Sequence, residues 1–241
     1  MAKNKLNRFK ENTSFEHLFQ PSFDEVLNKD FHLKSKWNKI FFKNNNPIVL
    51  ELACGKGEYT VGLAEEYPNK NFIGIDIKGA RIWQGAKIAS IKNLKNTAFI
   101  RTKIDFIESF FAKNEVSEIW ITFADPQAKR VRKRLTSTLF LTRYSKFLKP
   151  KGTLHLKTDS QLLHHYTKAV IKENNFTINN LISDIYNEID VAKELTSIQT
   201  FYEKQFLEKE KKITYINFNL HNILPYKEPM EFNINFAKKY L

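Results

Sequence analysis

The chain of 241 residues has a single cysteine, Cys54, and only seven glycines and seven prolines. One cysteine excludes an internal disulfide framework and a cysteine-based metal site. The low glycine and proline content argues against a linker-dominated or low-complexity chain. No apolar run approaches the roughly 18–20 residues of a membrane span, and no signal-peptide pattern is present. These absences predict a cytoplasmic protein with no membrane partner.

Acidic residues are the other scarce class. The 26 Asp and Glu residues are outnumbered by 39 Lys and Arg residues, which leaves a formal net charge of +13. A protein this basic usually binds a polyanion, most often nucleic acid. A lysine-rich composition that follows genome bias is the alternative explanation. The charge balance favours a nucleic-acid partner without distinguishing RNA from DNA.

Strand-like and helix-like patterns alternate from residue 47 onward. The strand candidates are PIVLEL, NFIGID, TAFIR, EIWITFAD, GTLHLKTD, FTINNLISD and ITYINFNL, and a basic helix is expected at about Lys133–Leu148. This alternation predicts an α/β fold of the Rossmann-like, doubly wound type, with a mainly parallel seven-stranded sheet. We predict one domain over residues 36–241, preceded by a basic extension, residues 1–35, that begins as a solvated arm. Ligands of such sheets bind beyond the carboxyl ends of the strands.

Glu51, Gly55 and Gly57 form the pattern E-x-x-x-G-x-G between the first of these strands and the next helix. The glycines permit a tight turn and let a ligand approach the main chain. Thr60 stands where the third glycine of the dinucleotide fingerprint G-x-G-x-x-G would be, so that fingerprint is incomplete. The pattern instead resembles motif I of the class I methyltransferases, whose ligand S-adenosylmethionine carries an ammonium and a sulfonium group. A tight turn without a ligand is the alternative.

Two further acidic residues follow the next strands along the chain. Asp76 ends NFIGID, where a carboxylate can accept hydrogen bonds from both hydroxyls of an adenosine ribose. Asp105, after TAFIR, is the candidate for the adenine end, although related sequences place the acid where Lys103 stands. Backbone groups near Lys103 could hold adenine instead, and Asp105 could simply be an N-terminal helix residue.

The fourth strand ends in the loop Phe123–Leu135, which contains F-x-D-P-x-x-K followed by a basic cluster. This loop resembles the signature of the bacterial single-chain tRNA (guanine-N7)-methyltransferases. Further matches follow in order: the strand GTLHLKTD, which ends in Asp159, the helix after it, and the segment TFYE at residues 200–203, which fits the family's T-x-[FY]-E. The resemblance covers the chain from about Glu51 to its end. The family's usual F-P-D-P-W-P-K reads F-A-D-P-Q-A-K here.

The resemblance implies an enzyme that transfers a methyl group from S-adenosylmethionine to N7 of a guanine in the variable loop of tRNA. It implies that Asp125 is catalytic and also contacts the cofactor, and that the substrate-binding residues are Lys129, Asp159, Thr200, Tyr202 and Glu203. Guanine N7 has an in-plane lone pair and no proton, so the reaction needs no base. A carboxylate at Asp125 would stabilise the positive charge that develops on the purine. No metal is needed, and the histidines lack ligand spacing.

The basic cluster directly follows the predicted catalytic loop, and Arg130, Arg132, Lys133 and Arg134 are the predicted contacts to RNA phosphates. A solvated helix face is the alternative for this cluster. Thr200 and Glu203 have a structural alternative too, as the two halves of a helix capping box. A methyltransferase of another RNA base, or a catalytically silent RNA-binding protein on the same fold, are the competing functions. The sequence leaves open whether the protein is a monomer or a homodimer.

Overall fold

A single twisted sheet lies at the centre of the computed structural model, which describes residues 2–221, 223–230 and 232. Its eight described strands are β1 (Leu18–Phe19), β2 (Ile48–Leu52), β3 (Asn71–Asp76), β4 (Thr97–Arg101), β5 (Val116–Thr122), β6 (Leu148–Thr158), β7 (Thr177–Ile182) and β8 (Thr214–Asn219). They lie in the order β1-β4-β3-β2-β5-β6-β8-β7, and β8 runs antiparallel to both its neighbours. The predicted mainly parallel, doubly wound sheet is confirmed, with the two-residue β1 as an additional strand at one edge.

Helices cover both faces of this sheet. The described α-helices are α1 (Ala2–Asn12), α2 (Phe23–Val26), α3 (Glu58–Glu66), α4 (Gly79–Ile91), α5 (Thr138–Ser145), α6 (Gln161–Glu173), α7 (Lys193–Ser197) and α8 (Phe201–Leu207). A π-helix (Trp37–Phe42) and two 3-10 turns (Ile104–Ser109 and Val131–Lys133) complete the regular structure. Within the described ranges no helix is long and apolar enough to span a bilayer.

The inner strands are buried along their whole length because helices pack on both sides. All residues of β2 and β3 are buried, as expected for parallel strands covered on two faces. One core cluster surrounds Trp37 and Phe110, and a second, on the other face, surrounds Tyr59 and Trp120. The sheet is therefore a rigid support for the loops that follow its strands.

The N-terminal segment packs on the domain, so the expectation of a solvated arm is wrong. Asn12 is fully buried, and its Nδ2 donates a hydrogen bond to the Gly79 carbonyl over 3.0 Å. Glu11 accepts a hydrogen bond from Trp83 Nε1 at 2.7 Å and pairs with Lys87 at 2.9 Å. These contacts join α1 to α4, while β1 pairs with β4.

The bounds predicted for the long basic helix, about Lys133–Leu148, are also wrong. The basic residues form a 3-10 turn, and α5 begins only after Ser137, whose extended backbone marks the N-cap. β6 already begins at Leu148, and its register against β5 jumps from Leu148 to Thr153. Pro150 therefore lies in a bulge outside the ladder, where its missing N–H breaks no hydrogen bond.

Candidate active site

The glycine loop between β2 and α3 rests directly on α4. Gly55 and Gly57 have φ angles of +56° and +69°, in the left-handed region that favours glycine. A Cβ on Gly57 would lie 2.7 Å from the Phe99 ring and 3.2 Å from the Gly85 Cα. A Cβ on Gly85 would lie 2.8 Å from the Lys56 carbonyl oxygen. Sequence reasoning missed Gly85, although a glycine inside a helical pattern is the usual signal of such close packing.

The Glu51 side chain stabilises the segments that flank this loop. Its side chain is buried, and its carboxylate accepts hydrogen bonds from the Thr60 backbone N–H at 2.8 Å, from the Thr60 hydroxyl and from the Thr122 hydroxyl at 2.6 Å. Burial raises the pKa of Glu51 to about 7, against the effect of these hydrogen bonds. Both carboxylate oxygens are therefore already engaged by the protein. The arrangement makes Glu51 a positioning group that ties α3 to the carboxyl end of β5.

Asp76 lies at the carboxyl end of β3, where it fixes the backbone on both sides of a cavity. Its Oδ2 accepts a hydrogen bond from the Gly55 N–H at 3.0 Å, and its Oδ1 accepts one from the Lys78 N–H at 2.8 Å. The carboxylate thus links the glycine loop to the start of α4. It also lines the cavity beside them.

This inner cavity has a volume of about 280 Å³. It is lined by Ala53, Asp76, Ile77, Thr102, Lys103, Ile104, Asp105, Gln127, Arg130, Lys133, Leu135 and Phe140. The structure brings both candidates for the adenine end, Lys103 and Asp105, into its wall. Partial burial raises the pKa of Asp105, but its ion pairs with Lys133 at 2.8 Å and Arg143 at 3.6 Å outweigh burial and keep the pKa below its ordinary value.

A larger outer groove of about 880 Å³ lies on the other side of the loop after β5. It is lined by Lys78, Arg81, Phe123, Ala124, Asp125, Pro126, Asp159, Ser160, Gln161, Leu162, Tyr202, Phe206, Lys211 and Lys212. The structure thus brings together three predicted site residues, Asp125, Asp159 and Tyr202. Asp159 is held by an ion pair in which Lys211 Nζ lies 2.8 Å from Oδ2.

The loop that carries Asp125 is shaped by backbone contacts. The Asp125 side chain is exposed, and its Oδ1 accepts a hydrogen bond from the Gln127 N–H at 2.8 Å. Phe123 and Gln127 adopt φ angles of +49° and +47°, which are uncommon for such residues and mark a constrained loop. Gln127 is one of the positions at which this chain departs from the family pattern. Gln127 contacts Asp125 through its main-chain N–H, so a different side chain at this position leaves that hydrogen bond intact.

Arg134 is buried beneath the loop, so the prediction that it contacts an RNA phosphate is wrong. The side chain is 1% exposed. It donates hydrogen bonds to the carbonyls of Pro126 at 3.1 Å and Ala128 at 3.3 Å, and it stacks over the Tyr166 ring at 4.4 Å. The guanidinium therefore holds the loop from inside the protein, where no phosphate reaches it.

The other basic residues of the segment lie on the surface. Lys129, Arg130, Arg132 and Lys133 are exposed. Lys133 forms the ion pair with Asp105, which leaves Arg130 and Arg132 as the better placed of the predicted phosphate contacts. Lys129 is absent from the lining of the outer groove, so its predicted contact with the substrate base has no support in this arrangement.

Thr200 and Glu203 lie behind the groove. They form a complete capping box at the start of α8, the structural alternative for this pair. Glu203 is fully buried, and its carboxylate pairs with Lys157 at 2.7 Å and accepts a hydrogen bond from the Tyr186 hydroxyl at 2.9 Å. These groups occupy the Glu203 carboxylate in this structure, and direct reading of the base by Thr200 and Glu203 stays a prediction. Both residues position Tyr202 through the start of α8.

Lys157 is a residue of this site that sequence reasoning missed. Its side chain on β6 is fully buried, and its Nζ donates a hydrogen bond to the Ile198 carbonyl at 3.3 Å in addition to the pair with Glu203. Burial lowers the pKa of Lys157, and Glu203 opposes that effect. A lysine inside the apolar strand GTLHLKTD was the available signal, because a lysine is rarely buried without a partner.

Cations lie against the aromatic rings at the start of α8. Lys56 Nζ lies 3.4 Å from the centre of the Phe201 ring, and the Arg81 guanidinium lies 5.5 Å from the Tyr202 ring. These contacts join α8 to the glycine loop and to the start of α4. Alternating cations and rings of this kind suit a single-stranded nucleic acid, whose bases stack while its phosphates are neutralised.

Two buried histidines, His155 and His164, lie in the packed interior of the protein. His155 stacks on Trp120 with the ring centres 3.9 Å apart, and burial lowers the pKa of His155 to about 3. Burial likewise lowers the pKa of His164 to about 4. Among the described residues, no group of three or more His, Cys, Asp or Glu side chains could hold a metal ion.

Comparisons with known proteins agree with this geometry. Residues 45–216 match the model of a family described as "Putative methyltransferase". A tRNA (guanine-N(7)-)-methyltransferase of Christiangramia forsetii is 58% identical over 91% of this chain and 99% of that protein. The protein of the same name from Bacteroides fragilis is 48% identical over the whole chain and 95% of its own length.

Solved structures share the fold at low sequence identity. The 16S rRNA methyltransferase KamB aligns with a TM-score of 0.58 at 11% identity, over 75% of this chain and 90% of that one. A 30S ribosomal A1408 methyltransferase from an uncultured bacterium aligns with a TM-score of 0.56 at 17% identity, over the same shares. These structures establish a class I methyltransferase fold, and the close sequence relatives establish the family: the chain belongs to the tRNA (guanine-N(7)-)-methyltransferases.

Proposed function

We propose that the protein transfers a methyl group from S-adenosylmethionine to N7 of a guanine in tRNA, within the cytoplasm where tRNA is used. One observation carries the proposal. The Asp125 loop separates a cavity suited to a nucleoside from a groove that holds two carboxylates. The names of the close relatives support the choice of tRNA and of guanine. Residues of one chain line both the cavity and the groove, so a monomer has the complete set of proposed site residues.

The inner cavity fits the adenosine part of S-adenosylmethionine. The Asp76 carboxylate at its edge suits ribose hydroxyls, and apolar side chains such as Ile104 and Phe140 suit the faces of adenine. Gly55 leaves its surroundings open, because a Cβ there would meet only one atom, 4.0 Å away. We therefore assign Glu51, Gly55, Gly57 and Asp76 to cofactor binding, with Glu51 acting through its support of the loop, and Asp105 or the Lys103 backbone to the adenine end.

The chemistry requires little from the protein beyond position and charge. Bound S-adenosylmethionine supplies a methyl carbon on a sulfonium, and guanine N7 bonds to that carbon while the carbon–sulfur electron pair stays on sulfur. Asp125 lines the groove, two residues before Gln127, which lines the cavity, and its carboxylate can stabilise the positive charge that passes to the purine. Asp125 is thus assigned to both the catalytic and the cofactor-binding role. The loop contacts of Arg134 fix its place, and such fixed placement of reactants lowers the barrier further.

Arg130 and Arg132 are proposed to bind tRNA phosphates. Replacing either by Gln should weaken binding of all tRNAs alike and flatten the dependence of log K on log salt by about 0.7–0.9 per lost contact. Filter binding across a salt series measures this slope. Lys172→Gln is the matched control, since it removes an exposed charge on α6 without changing the basic segment. An unchanged slope in both arginine variants would remove the phosphate contacts from the proposal.

The function itself is tested by incubating the protein with unmodified tRNA and S-adenosylmethionine, followed by mass spectrometry of the nucleosides. We expect 7-methylguanosine, mapped by fragmentation to the variable loop. Methylation of a different base would replace guanine N7 as the target. Binding of tRNA without any methyl transfer would instead indicate a silent RNA-binding protein.

A further inference from the structure

Lys211 and Asp159 form a hydrogen-bond donor and acceptor side by side in the wall of the outer groove. Lys211 Nζ lies 2.8 Å from Asp159 Oδ2, and both side chains line the groove together with Asp125 and Tyr202. The Asp159 side chain is 14% exposed, whereas that of Lys211 is 48% exposed. The carboxylate is therefore held in place, and the ammonium has a solvated side from which it can turn towards a bound base.

The position of Lys211 is fixed by the turn that ends α8. Its backbone N–H donates a hydrogen bond to the Phe206 carbonyl at 3.0 Å, and its Nζ lies 4.7 Å from the centre of the Phe206 ring. Glu210 before it has a φ of +56°, in the left-handed region that reverses the chain. The turn thereby places the Lys211 side chain over the Phe206 ring of α8. From there Lys211 reaches Asp159, which directly follows β6.

Guanine presents a matching pair of groups on its Watson–Crick edge. Its O6 accepts a hydrogen bond, and the adjacent N1–H donates one, whereas adenine has the opposite order of donor and acceptor. Enzymes that modify a base commonly extrude it and read this edge by hydrogen bonds. A carboxylate beside an ammonium therefore complements guanine and opposes adenine, and it leaves N7 free on the neighbouring Hoogsteen edge.

We propose that Lys211 is a specificity-determining residue that donates a hydrogen bond to guanine O6 while Asp159 accepts one from N1–H. The inference rests on the proposed function, and it adds a residue outside the T-x-[FY]-E segment. Lys212, the next residue in the same groove, is the natural comparison because no ion pair or hydrogen bond of its side chain is found among the described residues.

The test compares two tRNAs that differ at the methylated position, one with guanosine and one with 6-thioguanosine. Sulfur is a much weaker acceptor than oxygen, while N1–H and N7 are kept. Single-turnover methyl transfer to both tRNAs is measured for the wild-type protein and for the Lys211→Ala, Lys211→Arg and Lys212→Ala variants. The difference in intrinsic reactivity between the two bases is the same for every protein, so it cancels when the rate ratio of a variant is divided by that of the wild-type protein.

Lys211→Ala should slow methylation of guanosine by about 10- to 100-fold, the scale for a lost hydrogen bond to a charged group. It should also reduce the preference for guanosine over 6-thioguanosine, and Lys211→Arg should restore part of it. Lys212→Ala should keep the wild-type preference. An unchanged preference in Lys211→Ala, or an equal loss in Lys212→Ala, would overturn the inference. If the wild-type protein fails to methylate the guanosine tRNA, the proposed function fails before this comparison is reached.

Discussion

The Asp125→Asn variant is expected to transfer methyl groups about 10²- to 10³-fold more slowly than the wild-type protein, the scale for losing one electrostatic stabiliser. Asparagine keeps the shape of the side chain, and its Oδ1 can still accept the hydrogen bond from the Gln127 N–H. The loop should therefore keep its form while the negative charge beside the purine is lost. Single-turnover assays at saturating S-adenosylmethionine and tRNA measure the chemical step directly.

The control for Asp125 is Asp190→Asn, which removes an exposed carboxylate that lines neither the inner cavity nor the outer groove. This control should methylate at the wild-type rate. Binding of tRNA should stay nearly intact in the Asp125 variant, because most of that binding comes from phosphate contacts. Near wild-type turnover in Asp125→Asn would exclude the residue from a catalytic role.

Glu203→Ala should lower the free energy of unfolding by about 3–5 kcal/mol, the range for removing one partner of a buried ion pair. Lys157 would then be left without its carboxylate in a site from which water is excluded, since both side chains are fully buried. Denaturant unfolding measures the loss. Glu66→Ala is the comparison, because its pair with Lys193 is solvent-exposed and should contribute less than about 1 kcal/mol.

The same variant decides between two roles of Glu203. In a positioning role, its loss shifts Tyr202 and reduces stability and methylation together, and Lys157→Met combined with Glu203→Leu should recover stability by replacing the pair with apolar contacts. In a base-reading role, methylation falls while the stability of the protein is unchanged. The second pattern would show that α8 rearranges on binding tRNA and would support the sequence-based assignment.

The sequence was sufficient to predict which residues lie at the ends of the strands. It was not sufficient to predict which groups their side chains contact. Asp76 and Asp125 follow buried apolar runs, and parallel strands bring such positions to one edge of the sheet. Arg134 and Arg130 belong to the same basic segment, yet Arg134 is buried beneath the loop and Arg130 lies on the surface. Only the three-dimensional path of the chain separates the two, because the segment is a short 3-10 turn without a helical period.

Glu203 illustrates the same limit at longer range. The segment T-x-[FY]-E predicts both a capping box and a family motif, and the capping box is local enough to follow from spacing alone. Its ion pair with Lys157 joins residues 46 positions apart, on β6 and α8. No local pattern specifies such a contact, although an isolated lysine in an apolar strand indicates that a buried anion must lie nearby.

The contact between Gly57 and Gly85 sets the distance between the cofactor loop and α4 by main chain against main chain. A Cβ built on Gly85 would lie 3.0 Å from the Gly57 Cα, so neither position has a side chain whose volume could change that distance. A larger residue at either position would push the two segments apart, so the spacing between the cofactor loop and α4 depends on both glycines.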